Sequence, residues 1–298
     1  MIPTADMHGK LRRALLPLFA CWLAFALPAS RATAATPDAA NTAELRFSVA
    51  PYLAPARMEE LYTPMAAALT QALGRPVVFR TSSTFERHYD QVTAGATDLT
   101  LLHAFFYVVA VDQYGYLPLA RMTEPFKGLL VVPEQSPVRT LADLRGKTIA
   151  TPPDYLPTVH LVRREMREQH FDPSRDFVMR SFRSVESCLQ QLVIGEAAGC
   201  ICPPFALPGA EARFKVRFRT IVESASIPNL TFVAHPRVSA AERSRLRAAI
   251  LQWSESDAGR DLIRSIGTSG FVAARDSEYA GVRRLLKNLD TPWLPSPR

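Results

Sequence analysis

Apolar residues recur in two alternating rhythms from Asn41 onward. Leu45, Phe47 and Val49 alternate with Arg46 and Ser48, the period-two signature of a strand with one covered face, and the run stops at Pro51. Leu61, Met65, Leu69 and Leu73 then fall on one stripe of a helix closed by Gly74. Val77, Val78 and Phe79 predict a second strand leading into Thr81, Ser82, Ser83 and Thr84. A helix over 85–94 and a third strand over 98–102 follow, the latter stopping at His103, where another helix begins. The pattern restarts after Gly128: strands at Val131–Val132, Thr148–Thr151, Phe177–Phe182 and Gly199–Cys202 alternate with helices over 159–169 and 185–194. A strand at Thr231–Ala234 precedes closing helices that carry Leu246, Ile250 and Trp253, then Leu262 and Ile266. Repeated strand–helix–strand units predict an α/β fold with a mostly parallel sheet and helices on both faces.

In open sheets of this kind ligands settle beyond the carboxyl ends of the strands. Here those tips are Pro51–Tyr52, Thr81–Thr84, His103–Ala104, Thr151–Tyr155, Arg183–Ser187 and Pro203. Several are rich in hydroxyls and each feeds a helix, so free first-turn amides and the helix dipole favour an anion there. Helix capping is the plainer role for any single Ser or Thr among them. His103 at its tip can donate a hydrogen bond to a ligand or cap local backbone.

Composition narrows the class. The chain has 298 residues, 48% hydrophobic and 21% charged, enough for a sizeable core in one large domain or two lobes. Lys10, Arg12 and Arg13 precede an apolar run over 14–29 and the small residues Ala32–Ala35, the order of a secretory signal peptide spanning residues 1–34. Pro17 and Pro28 and the shortness of the run argue against a spanning helix. Cys21 sits inside the apolar run before Trp22, which sets a lipoprotein anchor below full release as the reading. Removing residues 1–34 takes four basic residues and Asp6, lowering the formal charge from +7 to +4. That charge is dispersed, without the basic, aromatic stripe of a nucleic-acid binder.

An oxidising compartment favours a bridge from Cys188 to one of the strand pair Cys200 and Cys202, with Cys188–Cys200 the pairing carried forward and the third thiol left buried. Cys-x-Cys without a nearby histidine is not a zinc spacing, so no metal or cofactor is expected. The chain also lacks a Gly-x-Ser-x-Gly elbow, a His-Glu-x-x-His pair and a phosphate loop. Glu59–Glu60 and Glu165 with Glu168 suit exposed helix faces; a cleft nucleophile such as Cys202 is conceivable, and binding, not turnover, is the expected activity.

The leader, the strand ending at Pro51, and the segments GATDLTLL (95–102), LADLRGKTIA (141–150) and SVESCLQQLVIGEAAG (184–199) together resemble periplasmic solute-binding proteins of ABC importers, nearest the phosphate, phosphite and phosphonate binders. The resemblance implies a two-lobed fold with two hinge segments: lobe one over 44–125 plus 230–290, lobe two over 128–226, hinges near Pro125–Lys127 and Ile227–Asn229. It implies a small, oxyanionic solute held between the lobes and delivered in the periplasm to an ABC permease, or sensed for a signalling kinase. With the tip argument it gives the candidate ligand set Tyr52, Ser82, Ser83, Thr84, His103, Tyr107, Thr151, Tyr155, Thr158, Glu186 and Ser187. The chain departs from the family's Ser-Thr-Ser-Gly stretch, carrying Asp154–Val159 (DYLPTV) after the Thr148–Thr151 strand, and lacks the histidine expected near Val185.

Overall fold

The computed structural model describes residues 43–289 and 293–294, inside one compact unit spanning Ala40–Arg298. The leader expected over residues 1–34, with Cys21, lies outside the described residues. The first half runs β1 (Leu45–Val49), α1 (Pro55–Leu73), β2 (Val77–Arg80), α2 (Phe85–Thr93), β3 (Leu99–Leu102), α3 (Ala104–Tyr114) and β4 (Leu117–Met122). The chain then crosses to β5 (Leu129–Pro133), β6 (Thr148–Thr151), α4 (Pro157–Glu168), β7 (Val178–Ser181), α5 (Val185–Val193), β8 (Gly199–Cys202), α6 (Leu207–Phe214) and β9 (Phe218–Glu223). It returns through β10 (Thr231–Ala234), α7 (Ala240–Gln252), α8 (Asp257–Ser265), β11 (Phe271–Ala273) and α9 (Ala280–Lys287).

Local chemistry sets these bounds. Proline starts α1, where its missing N–H costs nothing, and Gly74 ends it with φ at 70°. Ser184 and Ser239 begin α5 and α7 with reciprocal capping boxes. Leu61, Met65, Leu69 and Leu73 are all buried, the stripe that the sequence pattern predicts.

Two sheets form, ordered β11-β4-β10-β3-β1-β2 and β7-β6-β8-β5-β9. The predicted βαβ units supply the parallel half of each: β1 lies between β2 and β3, and β6 between β7 and β8. The other half is antiparallel, with β10 paired to β3 and β4, and β5 to β8 and β9. These antiparallel strands flank the crossings, where a strand entering from the other sheet runs against its neighbours. The six-residue β4 and β9 carry Pro118 and Arg121, and Arg219 and Thr220, among their apolar positions, and β11 has three residues, so none stood out as a strand.

Each sheet is covered on both faces. In the first, α1 and α7 pack over Phe47, Leu99 and Phe232, while α2, α3 and α9 cover Leu102 and Val233 opposite. In the second, Val162 and Met166 of α4 pack on Leu130 and Ile149, and α5 packs on Val131 and Ala150. Gly128 permits the close seat of α4: a Cβ there would stand 2.7 Å from the Thr158 carbonyl oxygen. The disulfide Cys188–Cys200 ties α5 to β8, and Cys202 stays a buried thiol. Between the sheets, Phe126 and Ile227 exchange two backbone hydrogen bonds of 2.8 Å, and Lys127 pairs with Glu223. Among the described residues no helix is long and apolar enough to cross a membrane, and no three metal-ligating side chains gather.

Candidate functional site

The tips of the first sheet bring His103 and Phe85 together. His103 is the N-cap of α3, its Nδ1 accepting the Phe106 amide at 3.3 Å, so the proton of the neutral ring sits on Nε2. That Nε2 is buried without a hydrogen-bond partner among the described residues, as are both ring nitrogens of His88 on α2. Burial holds His88 down to about 3, and burial with the neighbouring His88 does the same to His103. Phe85, first residue of α2, stacks on the His103 ring at 5.9 Å. Trp293 closes over the same imidazole edge-on at 5.6 Å and packs on Phe105 at 5.7 Å.

From the second sheet comes Tyr155, in the turn that enters α4. Its ring lies on Phe85 at 4.2 Å between centroids and 3° between planes. The N-terminal ends of α2, α3 and α4, from both sheets, thus meet in one aromatic cluster. Their dipoles favour a negative group, while the rings favour an apolar or flat one.

Most of the remaining expected ligand residues already have partners within the fold. Tyr52 is 46% exposed and its hydroxyl meets that of Tyr62 at 3.0 Å. Ser82 donates to Gln91 at 2.6 Å, and Thr84 caps α2 by accepting the Arg87 amide at 3.2 Å. Ser83 is exposed. Tyr107 is buried one turn along α3 from His103, donating to Asp276 at 3.1 Å and stacked on Tyr279 at 3.6 Å. Thr151 and Thr158 are buried. Ser187 completes the capping box with Ser184, and Glu186 forms an ion pair with Arg213 on the surface. Of the eleven candidates, His103 and Tyr155 are the two the fold joins through Phe85. Asp154 is turned toward α4: its carbonyl accepts from His160 Nε2 at 2.6 Å and its carboxylate lies 3.8 Å from Arg163.

Phe85 and Trp293 had no signal beside His103, because a single apolar residue at a helix start or a chain end looks like core in any one-dimensional pattern. Cys202, the conceivable nucleophile, is pushed up to about 12 by burial and stays protonated.

Two helix-covered sheets joined by two crossing segments, with helix N-termini of both meeting at one cluster, define a two-lobed solute-binding protein. A family model described as "ABC transporter, phosphonate, periplasmic substrate-binding protein" matches residues 47–279, and the chain belongs to that family. No curated protein matches the chain. Among solved structures it is similar to a binding-protein component of an ABC phosphonate transporter from Pseudomonas aeruginosa, with a TM-score of 0.69, 15% identity, and 82% of this chain and 85% of that one covered. PhnD1 from Prochlorococcus marinus in complex with methylphosphonate gives a TM-score of 0.71 at 10% identity, covering 82% and 97%. A Xanthomonas citri protein bound to ATP gives 0.63 at 17% identity, covering 83% and 99%.

Proposed function

We propose that this periplasmic substrate-binding protein captures an organophosphonate whose anionic head faces the N-termini of α2, α3 and α4 and whose apolar body lies against Phe85 and Tyr155. The observation that carries this reading is the Phe85–Tyr155 stack, which joins the two sheets at their strand tips. At 4.2 Å the rings touch each other directly. A flat group between them needs roughly 7 Å, two ordinary contacts of about 3.5 Å, so ligand exchange requires the lobes to part. His103 Nε2 supplies a donor once the cluster opens, and a ligand that bridges both lobes shifts the population toward the closed form.

The lobes in this proposal are residues 44–125 with 230–290 and residues 128–226, with the Phe126–Ile227 pair between them as the hinge. Anions held by proteins of this fold, methylphosphonate and ATP, agree with an anionic solute here. Few hydroxyls remain unengaged at the tips, which favours a ligand recognised partly by its apolar body. Delivery to an ABC permease follows from family membership, and no finding favours a signalling kinase as the partner.

Calorimetric titration of the purified protein with methylphosphonate and phenylphosphonate tests the reading. Phenylphosphonate is expected to bind at least tenfold more tightly, and Phe85→Ala or Tyr155→Ala to remove that advantage. Failure of both phosphonates to bind, or equal affinities unaffected by either substitution, would overturn it.

A further inference from the structure

Phe205 is the most exposed large apolar side chain among the described residues, at 66%, and Tyr52 and Leu53 are also open, at 46% and 42%. Single exposed apolar residues are ordinary on a protein surface, and these three are set apart by where they stand. Each lies just beyond the carboxyl end of a parallel strand, Tyr52 and Leu53 after β1 and Phe205 after β8. Val178 and Ile194, comparably open, start β7 and end α5, away from the strand tips.

Strand register sets these residues beside the aromatic pair. In the first sheet Ser48 of β1 is level with Arg80 of β2; Leu53 lies five residues past the one, and Phe85 five past the other. In the second sheet Ala150 of β6 is level with Cys200 of β8, and Tyr155 and Phe205 again lie five residues further on. Neighbouring strands run about 4.8 Å apart, so each half of the Phe85–Tyr155 stack has an open apolar residue on the next strand tip of its own lobe. Proline stiffens both positions: Leu53 stands between Pro51 and Pro55, and Phe205 follows Pro203 and Pro204 in a short 3-10 turn. The Tyr52 hydroxyl is tied to that of Tyr62 at 3.0 Å. Groups already held in place lose little freedom when a ligand lies against them.

We infer, resting on the phosphonate reading of the aromatic cluster, that Tyr52 and Leu53 on one lobe and Phe205 on the other extend the ligand site outward and select phosphonates that carry a long apolar substituent. A short substituent ends between Phe85 and Tyr155. A longer one leaves that gap and passes onto the open side chains beside it, where each methylene withdrawn from water tightens binding by up to about fourfold.

Calorimetric titration of the purified protein with methyl-, butyl- and octylphosphonate tests it. Octylphosphonate is expected to bind at least about tenfold more tightly than butylphosphonate, and Phe205→Ser and Leu53→Ser each to remove about threefold or more of that gain while leaving methylphosphonate affinity unchanged. Ile194→Ser, an exposed change away from the tips, is expected to keep the whole gain, which excludes adsorption of the alkyl chain to apolar surface in general. Circular dichroism melts check that each variant remains folded. Equal affinities for butyl- and octylphosphonate, or a gain kept by both tip variants, would overturn it and leave the open rim to a protein partner, while the preference for phenylphosphonate set by Phe85 and Tyr155 would stand. Failure of every phosphonate to bind would overturn it together with the reading of the site.

Discussion

Neutral histidines buried among aromatic rings give this protein a defined weakness toward acid. His88 and His103 ordinarily titrate near 6.5 and are held to about 3 in the fold, chiefly by burial. Between those values the unfolded chain binds more protons, so stability is complete above pH 6.5 and falls as pH drops toward 3, with a slope of up to about 1.4 kcal/mol per pH unit for each residue. Urea midpoints measured from pH 7 to 4 should fall, and His88→Phe should remove part of the slope. An unchanged slope would assign the acid sensitivity to other groups. At the tip hydroxyls, Thr84→Ala should cost about 1 kcal/mol through the lost cap while Ser83→Ala costs nothing measurable in the same melts. Both residues look alike in the run Thr81–Thr84, and only the hydrogen bond to Arg87 separates them.

Helix α4 links the candidate site to the core. One face packs on its own sheet through Val162 and Met166, Leu161 reaches the aromatic cluster of the other sheet, and Tyr155 stands in the turn ahead of it. Its position depends on Gly128, where a side chain would meet the Thr158 carbonyl at 2.7 Å and Val162 Cγ2 at 2.9 Å. A backbone carbonyl cannot swing aside like a side-chain end. Gly128→Ala should therefore destabilise the fold by about 1–3 kcal/mol and weaken phosphonate binding by moving Tyr155, as paired urea melts and titrations would show. Normal affinity in a destabilised variant would mean that Tyr155 is positioned independently of α4. Strands and helices with full periodicity, such as β1 and α1, were legible from the chain alone. β9 and the three-residue β11 were not, because their residues are chosen by neighbours brought in from elsewhere in the sequence.

For the whole molecule, both joints between the two sheets rest on local pairs: the Phe126–Ile227 hydrogen bonds and the Lys127–Glu223 ion pair. The disulfide Cys188–Cys200 lies within the second sheet's layer and spans 12 residues, a loop whose closure stabilises by about 3 kcal/mol in the chain-entropy description. Reductant should lower the thermal midpoint by a corresponding amount, and Cys202→Ala should retain the reductant sensitivity that Cys188→Ala abolishes. Hydrophobic spacing, proline and glycine punctuation, and the Ser and Asp near helix starts are local properties, so the sequence by itself determined the α/β class, the order of most elements and the positions of the strand tips. It also carried the segments by which the family is recognised. Which of the tip residues meet depends on contacts between residues far apart in the chain, and only the tertiary structure decided it. The Tyr107 hydroxyl is taken up by Asp276, 169 positions away, while Tyr155 crosses to stack on Phe85.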